Sequence, residues 1–253
     1  MLDTYLLTIF GPLRGTHDSI ESHAFASLTT GEQKNLPRFT SIRIFSGPLG
    51  PDTLWLLGRY GADRSRYDPL RRRGGAVDEC VQLVNELCGR PLARQRARAA
   101  GRLAHTLADL CDPAHHVGRP GRARVRVFGL PRTESWIDPL TGPLWSAGER
   151  HNHFEQLLAG AAVSGSPEAA LGIVRAHREF FSRRLAGQSV GVVLQETALG
   201  IVRAGLWERF ISGERPDELR SLLVRYVIFP ACGLIAAVWC VADRETRFGT
   251  GAG

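Results

Sequence analysis

Two histidine–carboxylate pairs, each with four-residue spacing, constrain the fold of this chain more than any other feature. The first pair is His105 and Asp109, and the second is His151 and Glu155. Residues four apart lie on one face of an α-helix, so each pair can direct an imidazole and a carboxylate toward the same point. Divalent metals such as zinc bind nitrogen and oxygen donors of this kind. The pairs therefore predict two helices that face a common cleft.

A further histidine, His115, lies six residues after Asp109. The strongest metal-ligating side chains of the chain are thus concentrated in two short clusters. A metal site indicates hydrolytic or Lewis-acid chemistry, because a bound divalent ion polarises phosphoryl and carbonyl oxygens.

The composition is that of an ordinary globular protein. The chain has 253 residues, 43% of them hydrophobic and 23% charged, which excludes a disordered or fibrous class. The net charge of +7 comes almost wholly from arginine, since Lys34 is the single lysine. Arginine binds phosphate bidentately, so a phosphate-bearing substrate fits this composition. A codon bias toward arginine would produce the same excess, and both explanations remain open.

The cysteines and the N-terminus favour a cytoplasmic location. The five cysteines form no C-x-x-C pair, which favours a reducing compartment. Residues 5–13 are apolar, but no positive charge precedes them and no small-residue cleavage site follows. Residues 222–242 approach the length of a membrane span, yet Arg225, Pro230 and Gly233 interrupt them. We therefore expect a buried core helix there and no transmembrane segment.

Helix signals dominate the chain and predict an all-α, compact, multi-helix single domain over residues 1–253, with residues 248–253 frayed. Residues 31–75 are rich in Gly, Pro, Asp and Arg and are predicted to be mostly loop, with a short extended piece at Ser41–Phe45. Residues 117–148 form a second irregular stretch. The predicted helices are 17–28, 76–89, 91–111, 149–162, 166–186, 188–212 and 216–243.

Taken in order, His-x3-Asp, x5-His and His-x3-Glu resemble the zinc-dependent phospholipase C fold, which is shared with the single-strand-specific zinc nucleases. Pro113, two residues before His115, also fits this pattern. Three further segments are similar to the family's early histidine segment, its aspartate segment and its last core helix. These are Gly15-Thr-His17, Arg59-Tyr-Gly-Ala-Asp63 and Gly233–Trp239.

The resemblance implies a cluster of up to three metal ions that hydrolyses a phosphoester, with Asp109 bridging ions and Asp63 orienting the attacking water. Neighbouring metals bind the phosphoester oxygens and generate a nucleophile from water at neutral pH. The residues that the resemblance places on the ions are His17, His105, Asp109, His115, His151 and Glu155.

Two departures from the family predict fewer ions. The family has another histidine ligand where this chain has no histidine from residue 24 to 104, and its processed N-terminal amine binds metal. Here 16 residues precede His17, and whether the Met1 amine binds metal stays open. We therefore expect two ions, zinc by preference. The remaining donors form two groups, each with two imidazoles and one carboxylate: His17, His105 and Asp109, and His115, His151 and Glu155.

Other functions remain possible on the sequence alone. Two histidines and one carboxylate are also the ligand set of non-haem iron oxygenases, so a repurposed enzyme with oxidative or cyclising chemistry in a biosynthetic pathway is the main alternative. A non-catalytic binding scaffold is a second. The expected partner is a small-molecule or phosphoester substrate, while nucleic acid has weak support because aromatic residues are few. His116 would substitute if His115 faced away from the site.

Overall fold

The computed structural model describes residues 16–56, 64, 67–89, 92–116, 147–162 and 167–248, together with four two-residue strands between residues 122 and 136. Side chains are not described within the strands or at residues 53, 55, 56, 147–152, 162, 167–169 and 243–248. Asp63 lies outside the described residues.

The described residues are mostly helical, which confirms the prediction of an all-α protein. The short strands form two antiparallel pairings, Arg122–Ala123 with Ser135–Trp136 and Arg126–Val127 with Leu130–Pro131. There is also a 3-10 turn at Pro113–His115 and a short π-helix at Val224–Ile228. The helices are α1 (16–26), α2 (Thr30–Asn35), α3 (Phe39–Ser46), α4 (Pro51–Leu56), α5 (Ala76–Gly89), α6 (Ala93–Cys111), α7 (Ala147–Ala162), α8 (Pro167–Gly187), α9 (Val190–Arg203), α10 (Leu206–Ile211), α11 (Pro216–Leu223) and α12 (Phe229–Phe248).

The prediction that residues 31–75 are mostly loop is wrong, because this region contains α2, α3 and α4. Thr29 begins α2 with a capping box, in which its hydroxyl and the Glu32 carboxylate each bond the other's backbone N–H. The predicted extended piece at Ser41–Phe45 lies within α3. Ile42 is fully buried there, so packing of one helix face outweighs the strand preference of its β-branched residues.

A glycine in α6 allows α3 to approach closely. A Cβ atom on Gly101 would lie 2.4 Å from the carbonyl oxygen of Ile42 and 2.8 Å from the backbone nitrogen of Ser46. Both contacts involve backbone atoms, so any larger residue would force the two helices apart. This approach places the C-terminal end of α3 beside His105.

The centre of the core is α12, in which Ala231 to Trp239 are buried without interruption. The indole nitrogen of Trp239 donates to the carbonyl oxygen of Ala100, at 3.3 Å, and so links α12 to α6. A Cβ on Gly233 would lie 2.4 Å from Cβ of His177, so glycine permits close packing against α8. The predicted helix 188–212 is divided in two at Gly205, which has a φ of +65°.

By length and composition, two helical segments could cross a membrane: Val190–Ile211 and Pro216–Ala242. Core helices of soluble proteins pass the same test. In the second segment, 61% of the most apolar window is buried inside the protein.

Candidate metal centre

Side chains from four elements converge at one end of α6. His17 comes from α1, His105 and Asp109 from successive turns of α6, His115 from the 3-10 turn and Glu155 from α7. The Asp112-Pro113 step ends α6 and turns the chain, because proline disfavours helical backbone at the residue before it. That turn brings His115 back toward Asp109. A hydrogen bond of 3.3 Å from the Thr16 hydroxyl to the Glu155 carbonyl oxygen joins α1 to α7.

Asp109 is the centre of this cluster. Its Oδ1 lies 3.4 Å from Nε2 of His17 and 3.5 Å from Nε2 of His115. Its Oδ2 lies 3.4 Å from Nε2 of His105. The side chain is 1% exposed, and neither oxygen accepts a hydrogen bond from the described residues. A carboxylate buried in this way is costly unless a cation compensates it.

The distances of 3.4–3.5 Å from the Asp109 oxygens to the imidazole nitrogens are long for hydrogen bonds but suit ligand atoms that bind the same ion. Two ligand atoms on a tetrahedral zinc at about 2.0–2.1 Å lie roughly 3.3–3.5 Å apart. Nε2 of His105 also lacks a hydrogen-bond partner among the described residues. The rings of His17 and His105 stack in parallel, with centroids 4.3 Å apart. Lone pairs from several buried donors therefore converge on one small volume.

A second donor group adjoins the first through Asp109. Nε2 of His115 lies 3.3 Å from Oε1 of Glu155 and 4.0 Å from Oδ2 of Asp112. The side chains of His115, Glu155 and Asp112 are 15%, 12% and 11% exposed. The sequence assigned no role to Asp112. A carboxylate three residues before a metal-ligating histidine could have indicated it.

Asp52 is another carboxylate that the sequence did not single out. It belongs to α4, and its Oδ1 lies 3.4 Å from Nε2 of His105. Its side chain is 57% exposed, so it marks the side of the cluster that is open to solvent. It was missed because α4 lies in the region predicted to be loop.

A hydrogen bond to the backbone of α3 fixes the orientation of the His105 ring. Its Nδ1 lies 3.0 Å from the carbonyl oxygen of Ser46 and donates to it, which leaves Nε2 to face Asp109. The hydroxyl of Ser46 bonds the carboxyl group of Glu21. Glu21 is fully buried, and burial raises its pKa to about 8, so it is mostly protonated at neutral pH.

The three imidazoles differ in proton affinity without metal. For His17, burial and the neighbouring His105 lower the pKa. For His105, burial lowers the pKa, but the charges of Asp52 and Asp109 raise it well above the ordinary value. For His115, burial acts against Asp109 and Glu155, which raise the pKa to about 9. Protons therefore compete for the donors that a metal would use.

The same charges lower the pKa values of the two carboxylates nearest His105. Burial raises the pKa of Asp109, but the charges of His115, His105 and His17 bring it below the ordinary value. Desolvation likewise raises the pKa of Asp52, and the attraction of His105, His17 and His115 together brings it below the ordinary value. Both groups are ionised at neutral pH, as metal ligands must be.

Of the predicted ligands, the structure brings together His17, His105, Asp109, His115 and Glu155. His151 lies on α7, one turn before Glu155, and its side chain is not described. Asp63, the predicted catalytic residue, lies outside the described residues.

Two further polar residues, His116 and Asp68, have structural contacts of their own. His116 is buried, and its Nε2 bonds the carbonyl oxygen of Leu110 at 2.7 Å. It is not needed as a substitute, since His115 faces the site. Asp68 accepts hydrogen bonds from the backbone of Leu70 and Arg71 and so holds its own loop.

No protein-family model, curated protein or solved structure matches this chain. The function must therefore be inferred from the donors and distances described above.

Proposed function

We propose that this protein is a metal-dependent phosphoester hydrolase, with a fold of the zinc phospholipase C type and a two-ion centre. One observation carries the proposal. The carboxylate of Asp109 is buried among three imidazole nitrogens at 3.4–3.5 Å, and neither oxygen is hydrogen-bonded by the described residues. Both the order of the motifs and their convergence support it.

The residues fit a pair of divalent ions in charge as well as in donor type. Among the described residues four carboxylates line the cluster, and with neutral imidazoles two divalent ions would balance their charge. Paired ions at such a centre bind phosphoryl oxygens and supply hydroxide from water at neutral pH. The four carboxylates are those of Asp52, Asp109, Asp112 and Glu155.

Each side chain has a distinct task in this proposal. Asp109 faces both donor groups and would hold them at a fixed separation. His105, oriented by the Ser46 carbonyl, keeps Nε2 directed at the centre. Asp52 lies at the exposed edge, where substrate and water enter, and is placed to orient a water molecule and accept its proton. The role that the sequence gave to Asp63 is thus assigned here to Asp52.

The test combines metal analysis with turnover. Protein dialysed against buffer without chelator should hold two zinc ions and hydrolyse bis(4-nitrophenyl) phosphate. Asp52→Asn should lower kcat at least 100-fold, the usual loss for a general base, while retaining both ions. Asp217→Asn is the matched control, because Asp217 on α11 has a 92% exposed side chain. Loss of metal without loss of turnover would contradict the proposal.

A second function has one specific observation in its favour. His17, His105 and Asp109 form a group of two imidazoles and one carboxylate, the set that binds iron in non-haem oxygenases. Tightly held iron and oxygen consumption on turnover would support a repurposed oxidative enzyme in place of the hydrolase.

A further inference from the structure

The two donor groups that meet at Asp109 differ in their chemistry. The first has two imidazoles and one carboxylate, whereas the second has one described imidazole and two carboxylates: His17, His105 and Asp109, and Asp112, His115 and Glu155. We propose that Asp112 is a metal ligand and that the second group is an oxygen-rich subsite for a harder cation of the Mn²⁺ class. This inference depends on the metal centre of the proposed function.

The structure fixes Asp112 in position. Its backbone N–H donates to the carbonyl oxygens of Ala108 and Asp109, which ends α6. Its Oδ1 accepts a hydrogen bond of 2.7 Å from the backbone of Ala114 and so begins the 3-10 turn. Its Oδ2 lies on the side of His115, 4.0 Å from Nε2. One oxygen thus has a structural role, and the other faces the donor group.

The buried carboxylate of Asp109 adds to this subsite. Its Oδ1 lies 3.5 Å from Nε2 of His115 and is not hydrogen-bonded by the described residues. A cation beside His115 would therefore meet oxygen from Asp109, Asp112 and Glu155. Among described side chains, three carboxylates then stand against one imidazole, and the predicted ligand His151 would make this three against two. At the first group two imidazoles stand against Asp109 and the exposed Asp52.

This donor balance determines which ion the subsite favours. Carboxylates suit Mg²⁺ and Mn²⁺, whereas imidazole suits zinc, copper and iron. Zinc still binds most sites more tightly than Mn²⁺ in absolute terms. Because of the additional carboxylate, the preference for zinc over Mn²⁺ is smaller at the second subsite than at the first. With limiting zinc, the centre should then hold two different metals.

The experiment uses the 253-residue chain, freed of metal and then given one equivalent of zinc. Mn²⁺ is then added and followed by electron paramagnetic resonance, and zinc is followed by elemental analysis. We expect one equivalent of bound Mn²⁺ and no loss of zinc. In Asp112→Asn, the amide oxygen can still accept from Ala114, but the charge is removed. The Kd for Mn²⁺ should rise at least tenfold, while the affinity for the first zinc stays within twofold.

Asp217→Asn, at an exposed position on α11, should leave both affinities unchanged. If Asp112→Asn does not fold, Asp112→Ser keeps a capping oxygen and serves the same purpose. Unchanged Mn²⁺ affinity in either variant, or equal weakening of both metals, would overturn the inference. Wild-type protein that binds no metal would overturn the proposed function as well. Asp112-dependent Mn²⁺ binding without hydrolysis would support this subsite and count against the hydrolase alone.

Discussion

Nδ1 of His105 lies 3.0 Å from the carbonyl oxygen of Ser46, and this contact determines which imidazole nitrogen faces the metal centre. The carbonyl belongs to the last residue of α3, so the helix backbone itself orients the ligand. The hydroxyl of the same residue bonds Glu21. A candidate metal ligand, a helix terminus and a buried acid are therefore linked by hydrogen bonds.

Gly101→Ala should disturb this link without touching a ligand. The added Cβ would meet the backbone of Ile42 and Ser46 at 2.4 and 2.8 Å, so α3 must move away from α6. We expect a loss of about 1–3 kcal/mol in the free energy of unfolding and weaker metal binding. Urea unfolding and a metal titration would measure both effects.

Gly200→Ala is the matched control for this change. Gly200 also lies within a helix, and an added Cβ would meet nothing within 4 Å. Alanine should stabilise the helix by about 0.5–1 kcal/mol. A Gly101→Ala protein that is as stable as Gly200→Ala would show that the close approach of α3 is unimportant.

Asp109→Asn should remove both ions. Asp109 lies between the two donor groups, and an amide cannot supply the negative charge that either ion needs. Elemental analysis should fall from about two equivalents of metal to near zero. Retention of one firmly held ion would mean that Asp109 serves one group only.

Glu155→Ala should remove about one equivalent and the activity. Glu155 belongs to the second group, where its Oε1 lies 3.3 Å from Nε2 of His115. The ion held by His17, His105 and Asp109 should therefore remain after dialysis. A variant with full metal content would show that Glu155 is not a ligand.

Chelation should lower the melting temperature by several degrees. The donors come from α1, α6, the 3-10 turn and α7, so an ion that binds only the folded state stabilises their association by mass action. Calorimetry before and after treatment with EDTA, with metal content verified, measures the shift. Restoring zinc should reverse it, and an identical melting temperature would contradict a structural contribution from metal.

The buried acid Glu21 should make stability depend on pH in metal-free protein. Its folded pKa of about 8 lies above the ordinary 4.5, so its contribution is fully present below pH 4.5 and is lost as pH rises through 8. Relative to Glu21→Gln, the unfolding free energy of the wild type should fall by up to ~1.4 kcal/mol per pH unit in this window. Parallel profiles for the two proteins would show that Glu21 is ionised when folded.

Helical periodicity predicted the long elements well. The four-residue spacing of His105 and Asp109 places them on one face of a helix, and the helix predicted over 91–111 ends at the same residue as α6. The region of α2, α3 and α4 was not predicted. These helices have six to eight residues, too few for a clear period. They depend on tertiary contacts with α6: α3 and α4 pack against it, and Arg96 of α6 donates to the carbonyl oxygen of Asn35 in α2.

The same limit explains which site residues were missed. Only the family resemblance associated His17 with His105, because no local sequence pattern joins residues so far apart. Asp52 lies in one of the short helices, and Asp112 was assigned no role in the predicted site. Both roles depend on which side chains approach across the fold, and that information is absent from spacing along the chain.

The hydrogen bond from Thr16 to Glu155 spans 139 residues, and it has a consequence for biosynthesis. The helix that carries His17 leaves the ribosome early, but its docking partner on α7 is made much later. The first donor group lies wholly before α7, whereas the second is completed only by Glu155 on α7. On the proposed function, the second ion would therefore be acquired late in the maturation of this protein, and a chain truncated before α7 would carry most of the described donors but lack the carboxylate of Glu155.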